Sequence, residues 1–460
     1  MKNIISVIVL AFISFGAIAQ KQLPPAGGTP KDFKIPEKKQ AQLKNGLRST
    51  LVSYGALPKV NIDLIIKTGN VHEAADQVWL ADLTVNIMNE GTKTMDFKAI
   101  SKKVASMGGN ININAGVDQV NISGSVLSEF APELIKVIGD IAMNPAFSES
   151  EIERLKADLK RQLSVQRSVP QSMARERFFA SVYKDHAYGR YFPTEAMITS
   201  YTMPMVKNFY DQNFGAKRSV IYVVGKFDEG AVNKSIDATF GSWREGPEVT
   251  YPPAVASQSS NIDIIDRPDA PQSTIIIGLP TLNPASPDYQ ALLTTNLLLG
   301  GSFGSRITSN IREDKGYTYS PSSSIQLRKN SAVWFESADV TSEHTGASLQ
   351  EIAKEIKILS TEPPKAEELD GIKRYEAGVF VLQNSTPSGI VNQLNFLDQN
   401  GLSDDYLKNK VTRIYAVTPE KVSQMTKDYF DYEKMTLVVV GDKKLLDKQI
   451  KAHKDSKKSK

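Results

Sequence analysis

Two stretches of this 460-residue chain hold residue types that do chemistry in other proteins. In VWLADLTVNIMNEGT, residues 78–92, Asp82, Val85 and Asn86 stand at offsets of three and four. A helix stacks that spacing on one face, where two metal ligands can flank a base. In SRITSNIREDKGYTYS, residues 305–320, Arg312 lies on a charged helical stretch ending near Gly316, and Tyr319 lies in the extended segment beyond. A planar cationic donor and a phenol brought to one end of an element suit a peptide carbonyl or a developing oxyanion, though the same pair also fits a surface arginine beside a half-buried tyrosine. The four histidines, His72, His186, His344 and His453, include no pair three to five residues apart, which excludes a two-histidine metal site on one helix or turn. His72 and Asp76 have the spacing to share a cation but read as a solvent-facing turn, and His186 in YKDHAYGR reads as a satisfied loop histidine beside Tyr183 and Tyr188. The glycines of LLLGGSFGSR lack the Gly-Lys-Ser/Thr ending of a phosphate loop, so close backbone packing at a strand-to-helix turn is expected there.

The elements that must position these residues follow from periodicity. VNIDLIIKTG (60–69) and STIIIGLP (273–280) are apolar, β-branched strand candidates, each followed by a helical stretch. GGNININAGVDQVNISGSV alternates as two neighbouring strands with one buried face. Ser148 and Glu151 predict a capping box for a helix whose stripe is Ile152, Leu155, Leu159 and Leu163. The chain also repeats: a displacement of 216 residues lays Thr202 on Thr418, Phe214 on Phe430, Val223 on Val439 and Gly225 on Gly441. Strands broken by helical pairs, twice over, predict two homologous α+β domains with helices on one face of a mixed sheet. Such a pair forms a clamshell of two shells, with a candidate binding chamber between them.

Composition bounds the function classes. A 41% hydrophobic content with 23% charged residues of mixed sign describes a globular chain, and a net charge of +4, part of it in the closing KKSK, makes no case for nucleic acid. Lys2, the apolar run IISVIVLAFISFGAIA and the small residues Ala17 and Ala19 describe a secretory signal peptide cleaved after Ala19, so a periplasmic location is expected. No later segment is long enough to span a bilayer. With no cysteine there is no disulfide framework, no thiolate chemistry and no lipid-anchoring cysteine.

Taken in order, LKNGLRSTLVSYGALPKVNIDLIIKTGN, LADLTVNIMNEGT, MNPAFSESEIERLKADL, YKDHAYGR and LLLGGSFGSRITSNIREDKGYTYS resemble the pitrilysin/insulinase family of zinc metallopeptidases, which includes mitochondrial processing peptidase. The resemblance runs from about Leu43 to Gly441. It implies a clamshell of duplicated domains around a peptide. Anchored on Gly91 and Thr92, the family's inverted zinc motif His-x-x-Glu-His falls on Asp82, Leu83, Thr84, Val85 and Asn86, and its later glutamate ligand falls on Gln162. All four positions are thereby degenerate, and valine cannot serve as a base at any pH. Two oxygen-bearing side chains, Asp82 and Asn86, are too few to hold a hard cation. The family's substrate-binding arginine and tyrosine match Arg312 and Tyr319, whereas Tyr317 has the wrong spacing.

The resemblance therefore implies a non-catalytic subunit with no cofactor of its own. Zinc is expected in a paralogous partner, as a heterodimer or a dimer of heterodimers, with Arg312 and Tyr319 acting in trans on peptide substrates. The alternative is a stand-alone peptide-binding or scaffold pseudopeptidase. An autonomous peptidase with a different metal site is a further possibility, which metal analysis of the purified chain separates from the others. The implied organisation is a signal peptide (1–19), a lead segment (20–40), an N-terminal domain (41–249), a linker (250–260), a C-terminal domain (261–446) and a basic tail (447–460).

Overall fold

The computed structural model describes Lys34 and residues 36–458, all within one compact unit; the leader and its cleavage site lie outside the described residues. Two mixed sheets organise the chain. The first contains β1 (Lys38–Gln42), β2 (Arg48–Ser53), β3 (Lys59–Ile66), β4 (Asn110–Ala115), β5 (Val120–Leu127) and β6 (Ser219–Gly225), in the order β1-β2-β6-β3-β5-β4. The second contains β7 (Ile262–Asp266), β8 (Gln272–Pro280), β9 (Ser322–Arg328), β10 (Ser331–Thr341) and β11 (Thr436–Gly441), in the order β7-β11-β8-β10-β9. β2 with β6 and β7 with β11 are the parallel pairs; the other neighbours run antiparallel. The repeated segments SVIYVVG and TLVVVG are thus β6 and β11, equivalent strands of two equivalent sheets.

The central strands β6 and β11 are buried at every position and mostly apolar, which requires cover on both faces. In β6, Ile221 and Val223 point into the core built with the helices of their own half, while Val220, Tyr222 and Val224 meet Ile390, Val391 and Leu394 of the helix Pro387–Asn400 from the other half. The second sheet mirrors this arrangement. Leu437 and Val439 of β11 face their own helices, while Val438 and Val440, with Val333 and Phe335 of β10, meet Phe178, Phe179 and Val182 of the helix Pro170–Tyr183. Each half therefore lends one helix to the far face of the other's sheet. Over these contacts the halves are packed core to core, so the facing sides of the two shells do not enclose an open chamber there. Polar bonds reinforce the exchange: Tyr183 with Ser331 (3.1 Å), Gln171 Nε2 donating to Asp339 (2.7 Å), and Arg48 donating twice to Asp398 (2.6 and 2.9 Å).

Several local expectations need correction. The Ser148–Glu151 capping box does not form: residues Glu149–Glu151 make a 3-10 turn, the Ser148 hydroxyl lies against that of Ser150, and the helix Ile152–Ser168 begins after it, with its four-residue apolar stripe buried as expected. Residues 38–40, placed in the lead segment, belong to β1. Residues 250–260 carry no helix or strand but are packed, since the Tyr251 hydroxyl donates to the Asp118 carbonyl and Ser257 N to that of Val182. The basic tail continues the helix Lys443–Lys458, whose Leu446, Ile450 and His453 are buried. Among the described residues, no helix is long and apolar enough to cross a membrane.

Candidate functional site

The stretch 78–92 forms the helix Leu80–Asn89, with Leu80, Leu83 and Ile87 in the core. It stops where Gly91, at φ +142, adopts a conformation other residues rarely take, with Asp96 backbone too close for a side chain. Val85 is buried as packing, Asn86 is half-buried, and Gln162 is exposed on the helix 152–168, which packs on the 80–89 helix. Among the described residues no group of three or more histidine, aspartate or glutamate side chains could hold a metal ion. Asp82, Val85, Asn86 and Gln162 do not supply the ligands or the base that zinc hydrolysis needs.

Asp82 has partners of another kind, which the sequence reading missed. Its Oδ2 accepts from Asn70 Nδ2 at 2.7 Å, and the same amide reaches Glu73 Oε1 at 3.0 Å. Glu73 accepts from the backbone amides of Trp79 (3.1 Å) and Ala81 (2.8 Å), so it caps the helix start from outside it. Burial pushes the Asp82 carboxyl up to about 6. Burial and then the Asp82 charge push Glu73 up to about 8. The signal was present: Val78, Trp79 and Leu80 offer no N-cap side chain, and Trp79 sits at φ 69, so another residue had to supply the acceptor. His72 is not on a solvent-facing turn. Its Nε2 lies 2.9 Å from the Thr250 carbonyl and its ring 5.2 Å from that of Tyr251; burial and the Arg218 charge hold it down to about 4. His186 accepts from Tyr188 N through Nδ1 (3.1 Å) and is the satisfied loop residue expected.

In the second half, Arg306–Thr308 opens a helical segment that widens into a π-type turn over Ser309–Asp314 and ends at Gly316, φ +67. Arg306 is not available for a ligand, because Glu368 grips it with two bonds of 2.7 and 2.8 Å. Arg312 lies one and a half turns on, its guanidinium 4.3 Å from the centre of the Phe303 ring and its Nε 3.4 Å from Glu313. Tyr319 is 87% exposed and Phe303 71%, both unusual for aromatics. Tyr317 is instead stacked on His344 at 4.4 Å. The chain around it is pinned by Thr318, whose hydroxyl donates to the Asp339 carbonyl, so Tyr319 projects from an anchored segment. Phe303 was also missed; an aromatic between Gly301 and Gly304 was the available signal.

The glycines do serve close packing, but between two helical segments and not after a strand. A Cβ on Gly300 would stand 2.5 Å from the Glu336 carboxylate and 2.7 Å from the Ser323 hydroxyl. Glu336 is fully buried, and burial holds its carboxyl well above the usual range. The degenerate face at Asp82 and the Arg312–Tyr319 surface lie in different halves. The 80–89 helix packs on its own half's helices and sheet, and the 309–314 turn packs on the helix Thr345–Thr361.

Comparison with known proteins agrees with this architecture. Residues 52–192 match the family model described as insulinase, peptidase family M16, and residues 200–375 match that of the peptidase M16 inactive domain. An uncharacterized zinc protease of Rickettsia bellii is 27% identical over 72% of this chain and 80% of its own length. A non-peptidase homolog of Helicobacter pylori is 21% identical over 84% of this chain and 90% of its own. The solved peptidase M16 inactive domain from Pseudomonas fluorescens superposes with a TM-score of 0.81 at 22% identity, covering 88% of this chain and 98% of that one. With a family match in each half and a shared fold throughout, the chain belongs to the insulinase family of M16 peptidases.

Proposed function

We propose that this protein is the zinc-free partner in a two-chain peptidase, exported to the periplasm by its leader and paired there with a zinc-bearing member of the same family. The observation that carries the reading is the surface around Arg312. A cationic donor held over Phe303 and, seven residues on, an exposed phenol stand on the second half, without a metal-ligating set to accompany them among the described residues. The packed junction between the halves also favours a peptide site formed against another chain. A relative named as a non-peptidase homolog is consistent with the lost ligands.

In this scheme the partner supplies zinc and activates water, while Arg312 and Tyr319 donate to the scissile carbonyl as charge develops on its oxygen. A donor aimed at an oxyanion contributes roughly 10²- to 10³-fold in turnover. Reconstitution with a zinc-bearing M16 chain from the same cell, followed by peptide-cleavage assays, tests this. Arg312→Ala and Tyr319→Phe should each lower kcat by about that factor while the complex still assembles. Undiminished turnover in both variants would remove the in-trans role and leave a peptide-binding pseudopeptidase.

A further inference from the structure

Beside the packed contact of the exchanged helix 387–400 with the first sheet, at its polar edge, a cavity of about 340 Å³ opens between the halves. Its wall gathers cations from four separate segments: Arg48 from β2, Lys67 just after β3, Lys217 before β6, and Lys329 from the β9–β10 turn. Lys217 is compensated by Glu245 at 2.8 Å and Glu248 at 3.5 Å. Arg48 and Lys67 share one carboxylate, Asp398, at 2.6 and 2.7 Å. Lys329 has no carboxylate within ion-pair distance among the described residues; its Nζ donates to the Gln399 carbonyl and lies 5.8 Å from the Tyr251 ring. Arg48, Lys67 and Lys329 thus gather about the single paired carboxylate of Asp398, while Asp118 acts on Lys329 from beyond ion-pair distance. Lys67 registers the imbalance: burial lowers its pKa, Asp398 opposes the fall, and the charges of Arg48 and Lys329 add to it.

Glu248, which is paired with Lys217, and neutral residues complete the wall. Gln119 accepts through Oε1 from Asn395 Nδ2 at 3.2 Å, which leaves its own amide N–H groups for another acceptor. Concentrating like charge in a partly buried cavity is costly unless a counter-charge enters it, and the donor set around this one fits an oxygen-bearing anion. We propose that this cavity binds a small divalent oxyanion of the phosphate type, held by Arg48, Lys67, Lys329 and the Gln119 amide. Bound there, the anion ties the first sheet, the β9–β10 turn and the exchanged helix together and fixes the angle between the halves. The site is separate from the Arg312 surface and does not depend on the peptidase role.

The test is isothermal titration of the full mature chain with inorganic phosphate at constant ionic strength, with sulfate, succinate and chloride as parallel arms. Saturable binding of one phosphate per chain is expected, matched by sulfate and weaker for succinate. Lys329→Gln, at the half-buried β9–β10 turn, should weaken it at least about tenfold, as expected for loss of one charge-assisted contact, with an unfolding transition showing that the variant is folded. Lys67→Gln should do the same. Heats no different from chloride, binding unaffected by both variants, or a preference for succinate would overturn the proposal.

Discussion

Replacing Asp82 with asparagine should stabilise the protein at neutral pH and leave it unchanged in acid. Asp82 is held in the folded chain with its carboxyl raised from 3.8 to about 6, by burial first of all. A carboxyl whose folded value lies above its unfolded value binds its proton more tightly when folded. Stability is then fully present below pH 3.8 and is lost as pH rises toward about 6. At 1.36 kcal/mol per pH unit, the loss reaches ~3 kcal/mol at neutral pH. Two smaller effects bear on the sum. An anion in the first turn of a helix gains about 0.3–1 kcal/mol from the helix dipole, which asparagine gives up. Against that, the Asp82 charge helps to raise Glu73, and its removal relieves that group as well. The bond from Asn70 Nδ2 survives, because the asparagine carbonyl can accept it. Urea unfolding of wild type and Asp82→Asn between about pH 4 and 8 should show curves that coincide in acid and separate by ~2–3 kcal/mol above pH 6. A difference that does not change with pH, or a variant less stable at pH 7, would refute the argument that burial of the ionised carboxyl dominates this cluster.

Other perturbations probe other links. Asp398→Asn leaves Arg48 and Lys67 without their shared anion and should cost about 3 kcal/mol. Burial alone would raise the Asp398 carboxyl, but the bonds from Arg48 and Lys67 outweigh it and hold it below 3.8, so its contribution is present above that pH and fades on acidification, which unfolding at two pH values measures. Phe303→Ala removes the ring under the Arg312 guanidinium, a contact worth about 0.5–1 kcal/mol, and should lower turnover of the reconstituted pair about 2- to 5-fold, less than Arg312→Ala. Gly300→Ala drives a methyl against Glu336 and Ser323 and should lower stability by about 1–3 kcal/mol in thermal unfolding.

Much of the fold was legible because its signals are periodic and local. The repeat located β6 and β11, and the alternation in residues 109–126 gave β4 and β5. What escaped the reading depends on contacts between distant segments. Phe178, Phe179 and Val182 look like the core of their own half, since nothing in their spacing says which sheet they meet. The consecutive apolar residues in SVIYVVG and TLVVVG are what cover on both faces of a strand requires, yet they do not name the helix that covers the second face. Ser148 shows the opposite failure. It matches a capping pattern, but the chain spends those residues on a 3-10 turn and the pattern goes unused.

The two candidate sites differ in the same way. That residues 82–86 and 162 offer no zinc-hydrolysis set could be read from residue types, because no packing turns Val85 into a base or Gln162 into a carboxylate. What occupies the position could not. The helix start lacks a cap of its own, and Glu73 reaches it from seven residues before Leu80, with Asn70 bridging to Asp82. In the other half, Arg312 and Tyr319 follow from a motif, whereas the stack on Phe303 requires the glycine turn to fold back over the guanidinium. Those glycines are tolerated because Glu336 and Ser323 leave no room for a side chain at Gly300. The buried acid beneath the turn and the exposed aromatic on it are therefore coupled. Glu336→Gln keeps the shape and removes the titration, so it should stabilise the chain above the usual carboxylate range without moving Arg312. A loss of Arg312-dependent turnover in that variant would mean that the carboxyl proton, and not the packing, holds the turn in place.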